Sequence, residues 1–188
     1  MRFFVESIES GWFNAYVYFE SIESLTVTYL QASNIMNEDY ITNIFKMCKN
    51  AILMKEGYSN ALLSNELTWK LLSFYKENDD QYTFTIYQLD DTDNSEDKDN
   101  VEDMDILEDD ILPEQLSYKF RFEQKNVDHI IFQMFIESVV DAFTPYATNK
   151  REEYEEHWCN NYSNQPYTFP YEEFQFLKEK IREWRNIM

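Results

Sequence analysis

The hydrophobic pattern of this chain calls for an α+β fold: one antiparallel sheet of about six strands, two main helices on one of its faces, and a further helix at the C-terminus. Three observations support it. Apolar residues alternate at strand spacing through most of residues 2–31. The alternation then switches to helical spacing up to about residue 55, and the same switch recurs over residues 64–143. The plan is thus βββα–βββα.

Phe3 to Ile8 reads as the first strand. Gly11 marks a turn, and Trp12 to Phe19 alternates: Phe13, Ala15, Val17 and Phe19 fall on one side, Trp12, Asn14, Tyr16 and Tyr18 on the other. Ser21 to Ser24 form a turn before the β-branched, alternating strand Leu25 to Leu30. Asn34 or Asn37 is placed to cap a helix over about residues 38–55, with Glu38 and Asp39 in its first turn. Ile41, Ile44, Phe45, Cys48, Ala51 and Ile52 recur at helical spacing, and Gly57 stops the helix.

Glu66 to Lys76 and Gln81 to Leu89 form a hairpin about Asn78, Asp79 and Asp80. Gln115 to Glu123 is the next strand, with Tyr118, Phe120 and Phe122 on one face. Asn126 is expected to cap a helix from Val127 to Phe143, which is apolar almost all round and therefore central. Pro145 ends or kinks it. Lys150 to Trp158 reads as charged helix, and Asn160 to Phe169 as a loop rich in Asn, Ser and Tyr. The last helix, 170–187, carries Glu172 and Glu173 in its first turn and an inner stripe of Phe174, Leu177, Ile181 and Trp184. The segments 2–55 and 64–143 form a pseudo-repeat of plan rather than of residues, and two small α+β lobes are the alternative to one sheet.

The 188 residues suit a single domain, 1–188, and the 44% apolar and 18% aromatic content suffices for a core. With only Gly11 and Gly57, glycine-rich phosphate loops are excluded. The net charge of −20 argues against nucleic acid and anionic membrane surfaces as partners and favours a basic protein or a cation, although charge also serves solubility. No apolar run reaches the length of a signal peptide or a membrane helix. Cys48 and Cys159 are far apart with no CxxC, so a cytoplasmic protein with two free thiols is expected. No cofactor is implied.

The charge is concentrated. Twelve carboxylates stand between Asp90 and Asp110 against a single Lys98, a share of −11 in the total of −20, forming an acidic loop insertion over 90–113. Aligned from Asp91 as an EF-hand loop, oxygen-bearing residues fall at the ligand positions Asp91, Asp93, Ser95, Asp97, Asp99 and Glu102. Glu96 stands where the turn needs Gly, Lys98 stands where an apolar residue belongs, and the flanks are not helical, so a specific calcium site is not expected. Interspersed apolar residues suggest instead docking on a basic, partly apolar partner: Asp103, Asp105, Glu108, Asp109 and Asp110 as anionic contacts, with Met104, Ile106 and Leu107 as apolar ones. The alternative is that Met104 to Leu112 packs back on the sheet.

Elsewhere the chemistry is sparse. His129 near the start of the apolar helix reads as a core or helix-end group. His157 and Cys159, with Glu153 one turn earlier, fall short of a closed zinc set, and as a nucleophile pair they lack an orienting group. No G-x-S-x-G elbow is present. Trp12, Tyr16 and Tyr18 share one strand face and form a second candidate interface, either exposed or covered by the last helix or the other half of the chain. Tyr162, Tyr167, Phe169 and Tyr171 form another aromatic cluster with the same two readings.

Gly11-Trp12-Phe13-Asn14-Ala15, Val27-Thr28-Tyr29-Leu30 leading into a helix, and Phe169-Pro170-Tyr171-Glu172-Glu173 together resemble small bacterial α+β proteins, some of which are immunity proteins of toxin systems. The resemblance implies a non-enzymatic inhibitor of a basic toxin, for instance a nuclease. The residues alone lead to a non-enzymatic protein-binding module, with a divalent-cation or small-ligand binder using the acidic loop, or a structural module, as the alternatives.

Overall fold

The computed structural model describes residues 1–9, 12–20, 25–33, 39–64, 68–78, 81–89, 118–150 and 168–187. Within these, the fold is α+β with antiparallel sheets and three α-helices. Strands β1 (Arg2–Glu9), β2 (Trp12–Glu20) and β3 (Leu25–Ser33) form a three-stranded sheet in that order. After α1 (Tyr40–Leu53) come β4 (Gly57–Ser64), β5 (Trp69–Asn78), β6 (Gln81–Leu89) and β7 (Tyr118–Asp128), a four-stranded antiparallel meander. Helix α2 (His129–Phe143), a 3₁₀ turn at Thr144–Tyr146 and α3 (Tyr171–Ile187) complete the chain.

The single six-stranded sheet expected from the pattern is instead two sheets, which have three and four strands among the described residues. The extra strand is β4. Its burial runs continuously through Ser59, Asn60 and Ala61, so Gly57–Ser64 shows no alternation by which to read it as a strand. Among the described residues the two sheets are not joined by a ladder at β3, where Lys70 Nζ of β5 donates to the Tyr29 carbonyl at 2.6 Å. They nevertheless share one core. Phe19 of β2 lies 5.8 Å from Phe84 and 4.1 Å from Phe122 of the second sheet (ring centroids).

Helix α2 joins the two sheets. Phe135 meets Phe3 of the first sheet and Phe74 and Phe84 of the second, while Phe143 stacks on Phe3 and Phe13. Helix α1 packs on β4, where Ser59 Oγ donates to the Met47 carbonyl at 2.9 Å. Helix α3 closes over α1 and α2 through Phe174 against Phe45, a Lys49–Glu173 ion pair at 3.3 Å and Arg185 Nε donating to Glu137 at 3.1 Å. Its inner residues Phe174, Leu177 and Ile181 are buried as the stripe predicts.

Three helix details differ from expectation. Asp39, not an asparagine, caps α1: its carboxylate accepts from Thr42 N at 3.2 Å and from Thr42 Oγ1 at 2.7 Å. Asn34 and Asn37 lie outside the described residues. Asp128 caps α2, accepting from Ile131 N at 2.8 Å. Asn126 is instead left-handed (φ 55°), within a bulge where β7 shifts register between Thr83's neighbours Tyr82 and Phe84. Finally, α2 is not enclosed on every side: Ile130 is 63% exposed and Met134 38%. On β7, Phe122 packs against the core but Tyr118 and Phe120 are exposed.

Candidate functional site

The alternation of β2 decides where its aromatic stripe points. Phe13, Ala15, Val17 and Phe19 are buried toward α2 and the second sheet. Trp12, Asn14, Tyr16 and Tyr18 consequently lie on the opposite face of the three-stranded sheet. Register extends that face. Tyr16 sits between Phe4 of β1 and Tyr29 of β3, and Tyr18 between Arg2 and Val27. Phe4 is 52% exposed, and Leu25, Val27 and Tyr29 are exposed beside it. Among the described residues, neither α3 nor the second sheet supplies ring contacts to this stripe, and its ring contacts are between its own members, Tyr16 with Tyr29 at 5.2 Å and with Tyr18 at 6.2 Å.

Polar side chains hold the plate in place. Asn14 Nδ2 donates to Ser7 Oγ at 3.0 Å, while Asn14 Oδ1 accepts from the Tyr29 hydroxyl and from Gln31 Nε2. The Tyr16 hydroxyl donates to Glu6 at 3.3 Å. Partial burial, then the Glu6 carboxylate, holds the Tyr16 and Tyr29 phenols above their ordinary range, so both stay neutral donors at physiological pH. Lys70 Nζ lies 6.0 Å from the Tyr29 ring centroid at the edge of the face.

One end of the face runs into a groove between β1 and α2. It has a volume of about 1040 Å³, and Phe4, Tyr18 and Leu25 belong to both surfaces. Across from them stand Ile131, Met134 and Ala142 of α2, with Ser138 and Asp141. Ser138 Oγ accepts the Phe3 backbone N–H at 2.7 Å, so α2 covers the free edge of β1 at that point.

The remaining sequence candidates divide simply. Asp103, Met104, Asp105, Ile106, Leu107, Glu108, Asp109 and Asp110 lie outside the described residues, as do Glu153, His157, Cys159, Tyr162 and Tyr167. Phe169 is a core residue against Phe45 and Phe174, whereas Tyr171 is exposed. His129 opens α2 with its ring 5.9 Å from Trp184. Cys48 is fully buried, and burial pushes its thiol far above the ordinary range, so it is not a nucleophile. Among the described residues no group of three or more His, Cys, Asp or Glu could hold a metal ion, and no helix is long and apolar enough to cross a membrane.

Phe4, Leu25, Val27 and Tyr29 are not candidate site residues on the sequence alone. Each sits at an alternating strand position, but only the pairing register brings them beside Tyr16 and Tyr18. Compared with known proteins, the chain matches no family model, no curated protein and no solved structure.

Proposed function

We propose that this chain is a non-catalytic protein-binding module that docks a basic partner on the outer face of its three-stranded sheet. One observation carries the reading: Phe4, Tyr16, Tyr18, Val27 and Tyr29 form a contiguous aromatic and aliphatic surface turned away from the core. Aromatic residues at the centre of an interface supply most of its binding energy, and an exposed patch of this kind marks an interaction site. The net charge of −20 favours a basic partner, with the acids of 90–110 steering its approach. The finer reading is an immunity-type inhibitor that occludes a basic cleft. It is supported by the acidity and by the resemblance of the three sequence motifs.

The test is capture of basic proteins by three forms of the chain at low and moderate salt: the parent, the double variant Phe4→Ser/Tyr16→Ala, and a form lacking residues 90–110. Capture lost in the face variant supports the sheet face as the dock. Capture unchanged in the face variant but lost in the deletion would refute that placement and move the interface to the acidic run.

A further inference from the structure

The groove between β1 and α2 combines two features that rarely serve one apolar ligand. Its walls are largely hydrophobic, from Phe4, Tyr18, Leu25, Ile131 and Met134, yet Asp141 and the Ser138 hydroxyl are set among them. Asp141 is exposed and engages no ion pair among the described residues, whereas Glu137, one turn earlier on α2, is taken by Arg185. Arg2 also lines the groove but is not paired with Asp141. A largely apolar groove with an unpaired carboxylate in its lining matches a side chain with a methylene stem and a cationic head. A second copy of the chain is the wrong occupant, since two bodies of −20 charge repel.

We propose that this groove seats a lysine or arginine side chain of the basic partner, its stem along Phe4, Tyr18 and Met134 and its charged head at Asp141. The proposal rests on the protein-binding reading above and names the anchor. Because Phe4 and Tyr18 belong to face and groove alike, a partner lying on the sheet places its anchor here without a second docking step.

The experiment uses the full chain labelled with ¹³C at its methionine methyl groups. It is titrated by NMR with the peptide acetyl-Ala-Arg-Ala-amide, with its lysine counterpart, and with the citrulline counterpart, which keeps the arginine shape without the charge. Met134 reports on the groove and Met104 on the acidic run. A saturable shift at Met134 is expected with the cationic peptides and not with citrulline. Asp141→Asn should weaken it roughly two- to fivefold, the range for a solvent-accessible ion pair. Among the described residues the Asp141 side chain engages no ion pair, so this variant should retain the parent's stability. Equal shifts with citrulline, no effect of Asp141→Asn, or shifts confined to Met104 would each overturn the proposal. Failure here with capture on the sheet face intact removes the anchor alone. Loss of capture with the Met134 shift intact removes instead the reading of the face as dock.

Discussion

Phe3 and Phe4 are neighbours in sequence and opposites in environment, which makes them a sharp test of which face of the first sheet is open. Phe3 is 3% exposed and packs on Phe13, Phe135 and Phe143, while Phe4 is 52% exposed. Truncating a buried phenylalanine to alanine costs about 3–5 kcal/mol, because transfer and cavity terms add. Truncating Phe4 forfeits only its buried half, about 1 kcal/mol at the usual value for burying such a side chain. In a chain of this length each kcal/mol moves Tm by about 2–4 °C, so Phe3→Ala should fall by roughly 6–20 °C and Phe4→Ala by roughly 2–4 °C. Urea unfolding followed by far-UV circular dichroism and tryptophan fluorescence gives both free energies, provided the two probes coincide. Equal losses at the two positions would mean that the outer face is covered, and the docking argument built on it would fail. A small loss at Phe3 would instead refute the stacked core under α2.

Two further outcomes follow from the described side chains. Burial raises the Asp39 pKa above its ordinary 3.8 despite the Thr42 hydrogen bonds and Lys46, with Glu172 and Glu173 of α3 close to the same helix start. A raised carboxylate pKa means that the folded chain binds the proton first, so the ionised group costs stability above the raised value and the cost disappears as pH falls toward 3.8. Asp39→Asn keeps the capping oxygen without the charge, and should equal or exceed the parent at pH 7 with the difference shrinking in acid. Asp39→Ala loses the cap, at about 1 kcal/mol; paired urea titrations at several pH values check both, and a difference that grows in acid would contradict the sign. Cys48, in a Cys159→Ser background, should resist an aromatic disulfide reagent until the chain is unfolded; prompt labelling in buffer would show that the α1 core opens readily.

The parts of the fold that were legible before the structure are those where one face is wet. The alternation in Trp12–Glu20 and the stripe of α3 are legible because buried and exposed positions differ in chemistry. Strand β4 is not legible because it is largely buried without alternation, and α2 looks enclosed because Ile130 and Met134 are apolar though exposed. Asn126 looked like a cap because asparagine suits caps and left-handed bulges equally, and only the pairing of Tyr82 with Val127 tells them apart. The candidate site was half visible for a related reason. A single strand reveals its own stripe, Trp12, Tyr16 and Tyr18, but not which residues of β1 and β3 stand beside it.

The sheet that carries the aromatic face and the β6–β7 pair meet through the core. Tyr18 of the aromatic face precedes Phe19, whose ring rests 4.1 Å from Phe122 of β7. From Phe122 the strand runs four residues back to Tyr118, about 13 Å at the usual rise. Tyr118 is paired with Leu89. On the proposed function, one basic partner meets both acids and aromatics, which have different kinetic roles. Long-range charge accelerates encounter, while desolvated aromatic contacts hold the complex. Charge reversal at Asp103, Asp105, Glu108, Asp109 and Asp110 should therefore lower the association rate and flatten its salt dependence, leaving dissociation nearly unchanged. Phe4→Ser/Tyr16→Ala should leave association nearly unchanged and raise the dissociation rate by about tenfold or more, the effect of losing two central aromatics. Stopped-flow association and surface-bound dissociation against the captured partner separate the two rates. Charge reversal that leaves the association rate and its salt slope intact would refute the steering role. An unaltered dissociation rate in the face variant would remove the aromatic plate from the interface.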